Sequence, residues 1–341
     1  MIVDVHGHIT HPELIKRYPM PPALADIEGM LDRKSAAGIE LTIVGSPVGF
    51  GTMTRMPGLD IYAQPLEELK MFHEWLAETV QKYAPRLAAY AFTNPLGGGA
   101  LLEQTAETVR DGGFVGLIVN TSVKGEYLDS PRADDFFAMA AELGLPIFLH
   151  PPAEPVGSDS IEDFRLVEQA ARFCDVALGL ATLIFGGRME QYQELEFIAA
   201  TGGGPISMLV DRLDQAYQPR HWGGGKPGEG PPAGPPGGGP PPGMPRYENK
   251  IPKPPSAYLE RVYVDTASFS RQQHEANLQL MGPERMLFGT DSPPLAKPFD
   301  EAIGMVEQLP ISEDDKQKVL QGNAQRLFRL AGAGDAREPV A

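Results

Sequence analysis

The feature that most restricts the fold is an eightfold alternation of short apolar runs with longer amphipathic stretches. The runs are Ile2–His8, Leu41–Gly45, Leu87–Phe92, Val115–Asn120, Pro146–His150, Glu196–Ala200, Val262–Asp265 and Met286–Gly289. Each is too short for a helix and stops at or just before Gly, Pro, His, Asp, Asn or Thr, as strands do. Between them, Leu66–Tyr83 carries Leu66, Leu69, Phe72, Leu76 and Val80 three or four residues apart, the spacing of one helix face. Asp134–Leu143, Phe164–Phe173, Gln273–Met281 and Asp315–Leu330 read the same way. Strands alternating with helices imply a parallel sheet. Eight such units predict an α/β fold, a (β/α)8 TIM barrel filling 1–332 as a single domain. A doubly wound sheet is the alternative. It calls for a glycine fingerprint after the first strand, where this chain has His6-Gly7-His8.

Composition narrows the function classes. Lys and Arg number 29 against 45 Asp and Glu, a net charge of −16. That argues against the basic footprint of a nucleic-acid binder and against an anionic membrane surface as partner. No apolar run approaches the ~20 residues of a membrane helix, and no basic n-region opens the chain. The expectation is a cytoplasmic protein with nothing ahead of the strand at Ile2. Cys174 is the single cysteine and has no intrachain partner; its apolar surroundings, Ala171–Leu180, predict a reduced core thiol. One segment fits no periodicity. From Gly223 to Pro245 every residue except Lys226, Glu229, Ala233 and Met244 is Gly or Pro, which forms neither helix nor paired strand. We read 219–255 as an insertion loop, either a tolerated surface loop or one that docks a partner or covers a site. The tail 333–341 reads as frayed.

The strongest chemical signal is Asp4-Val5-His6-Gly7-His8. Residues i and i+2 of a strand point to one side, so His6 and His8 project together. In a barrel the strand end is the active-site mouth. His150 ends the fifth run and Asp291 follows the eighth. In a closed barrel strand eight sits beside strand one, so three imidazoles and one carboxylate can converge. That set suits a divalent metal: Zn2+ first, with Mn2+ or Fe2+ compatible. Asp265 ends the seventh run and reads as a supporting group, a second-metal ligand or a plain hydrogen-bond acceptor. Gly202–Gly204 reads as a tight turn near the metal, since no Lys-Ser/Thr follows to make a phosphate cradle. His11, in the first loop, could reach the mouth and touch substrate, or be a loop residue fixed by Pro12. His73 and His274 fall inside helical patterns and read as solvent-facing or packing residues.

Together these motifs resemble the amidohydrolase-related metal-dependent family that includes aminocarboxymuconate-semialdehyde decarboxylase and the resorcylate decarboxylases. The resemblance is carried by Asp4–His8, Leu149-His150-Pro151, Leu180–Gly187, Gln191–Phe197, Thr201–Gly204, Val264–Ala267, Phe288–Pro293 and Gly322–Phe328. It implies a (β/α)8 barrel, metal ligands at His6, His8, His150 and Asp291, and decarboxylase (C–C lyase) or hydrolase activity on a small carboxylate. Asp291 would then be catalytic as well as a ligand, and Arg212 would hold a substrate carboxylate, unless it pairs with Asp211 or Asp214. Arg55 is a weaker candidate for that task. The family usually has a catalytic histidine directly before the three glycines; here that position is Thr201. Threonine has no pKa near neutrality and cannot shuttle a proton as imidazole does, although it can orient a water. His221, opening the insertion, is a possible substitute.

The substitution leaves three expectations. The first is a self-sufficient metalloenzyme, homo-oligomeric. The second is a metal-binding companion subunit in a hetero-oligomer with a related amidohydrolase-like chain, similar to the oxygenase that hydroxylates 2-aminoisobutyrate. The third is oxygen chemistry at iron or manganese.

Overall fold

The computed structural model describes residues 1–56, 58–217 and 249–330. Eight parallel strands succeed one another in chain order: β1 (Ile2–His8), β2 (Ile39–Gly45), β3 (Leu87–Phe92), β4 (Gly116–Asn120), β5 (Ile147–His150), β6 (Phe197–Ala199), β7 (Val262–Asp265) and β8 (Met286–Leu287). Helices pack around them on the outside, so both faces of each strand are covered. Hence Val3, Val5, Ile43, Leu117, Leu149, Ile198 and Val264 are fully buried, and the strands read as near-continuous apolar runs. This is a nearly closed (β/α)8 barrel.

The seam between β8 and β1 is held mainly by side chains. Val5 N–H donates to Phe288 O at 2.9 Å. Asp4, fully buried, accepts from Thr290 N–H at 3.0 Å, Thr290 Oγ1 at 2.6 Å, His6 N–H at 3.0 Å and Lys34 Nζ at 2.6 Å. Lys34 comes from helix α1 (Ile27–Ala36). One carboxylate thus ties the first strand, the first helix and the segment after the last strand. Gly7 permits this, because a Cβ there would lie 2.8 Å from Thr42 Cγ2 and 3.3 Å from Lys34 Nζ.

Differences from the sequence reading have physical reasons. β2 begins at Ile39, and β8 stops at Leu287, because Phe288 N–H bonds Val319 O at 3.0 Å instead of a strand. The helix expected over 164–173 is a short turn, Phe164–Leu166, then a π-helical turn, Val167–Ala171, running into helix α2 (Arg172–Phe185). Cys174 is exposed, not a core thiol. Val176, Ala177, Leu180, Leu183 and Ile184 take the buried face of α2. That leaves Cys174 and Leu178, one turn apart, on the outer face. Residues 219–248 of the insertion, with His221, and the tail 333–341 lie outside the described residues. Asn249, in the remainder of the insertion, donates from Nδ2 to Tyr217 O at 3.1 Å, so the chain re-emerges beside its point of departure.

Candidate functional site

β1 delivers His6 and His8 to one point at its C-terminal end. Their Nε2 atoms are 3.1 Å apart. His150, at the end of β5, brings its ring to 5.6 Å from His6 and 5.0 Å from His8, centroid to centroid. One nitrogen from each of the three rings falls within a sphere whose members are no more than 4.8 Å apart. Asp291 Oδ1 lies 3.1 Å from His8 Nε2 and 3.5 Å from His6 Nε2. The structure therefore gathers all four residues expected from the strand ends.

The outer nitrogen of each ring is fixed. His8 Nδ1 donates to Gly45 O at 2.9 Å, and His150 Nδ1 donates to Pro151 O at 2.8 Å. A carbonyl oxygen only accepts, so both rings carry a proton on Nδ1 and turn Nε2 toward the centre of the cluster. His6 Nδ1 sits 2.6 Å from Asp265 Oδ2, which fixes the same tautomer. Lone pairs converging at this distance repel unless a proton or a metal cation lies among them. Electrostatics agree. Burial opposes charge on His6, yet Asp291 and Asp265 outweigh it and push its pKa up to about 9. Burial raises Asp291, but His6 and His8 more than offset that and hold it at about 2. Burial, then the neighbouring His8 and His6, hold His150 well below its ordinary value. The cluster is built to keep positive charge at its centre, and three nitrogens plus one carboxylate oxygen fit a divalent cation.

Asp265 is the supporting group of this cluster. Its Oδ2 holds His6, while Oδ1 accepts from Gly202 N–H at 2.9 Å and Ala267 N–H at 3.1 Å. It thereby couples the imidazole to the glycine turn after β6. Thr201, at the head of that turn, has φ 51°, unusual for a β-branched residue. Its hydroxyl donates to Ala200 O at 2.8 Å. Gln273 latches the turn from outside, donating from Nε2 to Gly202 O at 2.9 Å and Gly204 O at 2.7 Å.

A cavity of about 1040 Å³ opens over the cluster and is lined by His8, His150, Thr201 and Asp291 among others. The two expected substrate contacts are not on it. Arg212 is exposed on helix α3 (Ile206–Tyr217), whose buried face is Ile206, Val210 and Tyr217. His11 caps the helix Pro12–Arg17, accepting Glu13 N–H at 3.2 Å, and packs on Trp75. Sequence reasoning passed over Arg172, which does line the cavity. Its signal was a second guanidinium, seven residues after Arg165, in a helical stretch bounded by Phe164 and Phe173. His73 and His274 are both buried packing residues.

A parallel barrel with this donor set at the carboxyl ends of its strands defines a class: a (β/α)8 protein with a divalent-cation centre at its mouth. The chain belongs to the amidohydrolase family, whose model matches residues 3–330. Among curated relatives, it is 24% identical over 232 residues to the 2-amino-3-carboxymuconate-6-semialdehyde decarboxylase of Dictyostelium discoideum. That match covers 67% of this chain and only 57% of that protein. It is 28% identical over 280 residues to the gamma-resorcylate decarboxylase of a Rhizobium species, covering 79% and 78% of the two chains. The fold is shared with the 5-carboxyvanillate decarboxylase of Sphingomonas paucimobilis (TM-score 0.76, 18% identity, 96% and 99% covered). It is shared too with a dihydroxybenzoic acid decarboxylase of Polaromonas solved with manganese and the inhibitor 2-nitroresorcinol (TM-score 0.71, 22% identity, 96% of both chains covered). No described helix is long and apolar enough to cross a membrane.

Proposed function

We propose that this chain is a metal-dependent decarboxylase of a small aromatic carboxylate, with His6, His8, His150 and Asp291 holding one divalent ion, Zn2+ or Mn2+. The observation that carries the reading is the convergence of three imidazole nitrogens and one carboxylate oxygen at the cavity. Membership of a family with decarboxylase relatives supports the reaction class. The bound ion would act as a Lewis acid, binding substrate oxygens and stabilising negative charge.

This chain's residues supply the rest. Decarboxylation breaks the bond between ring carbon and carboxylate, releases CO2 and leaves the bonding pair on the ring carbon, which takes a proton. Asp291 lies on the cavity beside the cluster and is held ionised, so we assign it the proton relay: its carboxylate accepts a proton from a substrate hydroxyl or a water and passes it to the ring carbon. Thr201 has committed its hydroxyl proton to Ala200 O. It is left as an acceptor that orients a water or a substrate hydroxyl. Asp265 fixes the tautomer of His6. The apolar cavity wall excludes water from the ring carbon. Neither the geometry nor the comparisons lend support to the companion-subunit expectation or to oxygen chemistry.

The test is turnover by protein loaded with Mn2+ or Zn2+, using 2,6-dihydroxybenzoate and 5-carboxyvanillate as probes and reading CO2 release. Metal-dependent release that falls by at least ~10²-fold in D291N is the expected result. Release no greater than in chelated protein, with either acid, would contradict it.

A further inference from the structure

Two guanidinium groups line the cavity among its described residues, Arg55 and Arg172. Arg55 is committed: Nε meets Glu154 Oε1 at 3.2 Å and Nη2 meets Asp159 Oδ1 at 3.1 Å. Arg172 is not. Its Nε is buried with no hydrogen-bond partner, and among the described residues it makes no ion pair. The acid acting on it most strongly is Glu168, one turn earlier, yet no bond joins them. Burying a guanidinium without a partner is costly, and burial holds Arg172 below the ordinary arginine range.

The surroundings aim this group at a ligand. Phe164 lies against the guanidinium, its ring centre 5.7 Å from Cζ. A stacked ring occupies the face of the fork and leaves its edge for a planar anion. The π-helical turn Val167–Ala171 ends immediately before Arg172; such turns redirect the residues that follow. A Cβ on Gly204 would strike the carbonyl of Phe173, so the start of α2 packs directly against the Thr201 turn. Ser207 Oγ, on the same wall, is also buried and unpartnered.

We propose that Arg172, assisted by Ser207, is the specificity-determining residue for a second carboxylate on the substrate. The substrate class is then an aromatic dicarboxylate, one acid group at the cluster and the other in the Arg172 fork. This rests on the reading above and names the substrate class for that same site.

The experiment is calorimetric titration of the metal-loaded protein with benzoate and isophthalate. Wild-type protein is expected to bind isophthalate at least about tenfold more tightly, the value of one charge-assisted bidentate contact. R172M is expected to abolish that ratio while benzoate affinity and metal content stay unchanged. R172K keeps the charge but loses the fork, and lowers the ratio partway. It stands in for R172M if that variant does not fold. An unchanged ratio in the variants, an equal loss for both acids, or no preference in the wild type overturns the assignment alone. Wild-type protein that binds neither acid overturns the carboxylate reading, and this assignment with it.

Discussion

Asp265 shows how much of the site rests on a residue that never faces the cavity. It holds His6 by Nδ1 and the glycine turn by two backbone N–H groups. Supporting carboxylates of this kind typically cost 10–100-fold in metal affinity when lost. D265N is expected to weaken binding by about that factor in a competition titration with a chelator, with the fold retained. An unchanged affinity would mean that His6 is oriented by packing alone. At this scale, the candidate ligands were legible in the sequence because they are strand-end residues, and alternation along a strand fixes the side to which they point. Arg172 was not legible. Its role depends on which face of a helix leans over the mouth, and the π-helical turn breaks the 3.6-residue count there. Arg212 was drawn toward the site by resemblance, and the helix periodicity puts it outside. Thr201 and Asp291, with φ 51° and 49°, both hold a left-handed backbone that costs about 1–3 kcal/mol. That strain at two residues of the same mouth is visible in three dimensions alone.

At the scale of elements, strands buried on both faces announce themselves as unbroken apolar runs, so all eight were placed within two residues; the last ends two residues early, where Phe288 N–H bonds Val319 O instead. Helices were legible where one face is strongly apolar, as in Leu66–Tyr83. Gly99–Gly112 escaped although Leu101, Leu102, Thr105, Ala106 and Val109 share one buried face, because glycines open and close it. The helix Leu66–Tyr83 carries a pH dependence. His73 is fully buried, and burial pushes it down to about 4 from its ordinary 6.5. Between those values the unfolded chain binds a proton that the folded chain does not. Stability is therefore complete above 6.5 and is lost as pH falls toward 4. A shift of that size is worth about 3 kcal/mol. Urea unfolding at pH 7 and pH 4.5 should show a drop in the wild type that is smaller in H73L by most of that amount. Equal drops would show that His73 titrates normally.

The whole molecule is a ring of parallel strands whose closure depends on one buried ion pair. Lys34 and Asp4 meet at 2.6 Å, both almost completely buried. Removing one partner leaves the other charge stranded, at about 3–5 kcal/mol. K34M is expected to lose stability on that order in chemical denaturation, and D4N in the same chain to recover part of it. A neutral K34M would show that the seam is held by Thr290 and the backbone instead. Because Asp4 also receives His6 N–H, the seam that closes the barrel is the seam that sets the first imidazole. Fold and site are in this sense one construction. The most direct measurement is the metal content of the purified chain, by elemental mass spectrometry after growth with zinc and manganese. One divalent ion per wild-type chain, and almost none in a variant carrying H6A and H150A that still folds, is the predicted result. No ion in the wild type, or the same content in the variant, would contradict it.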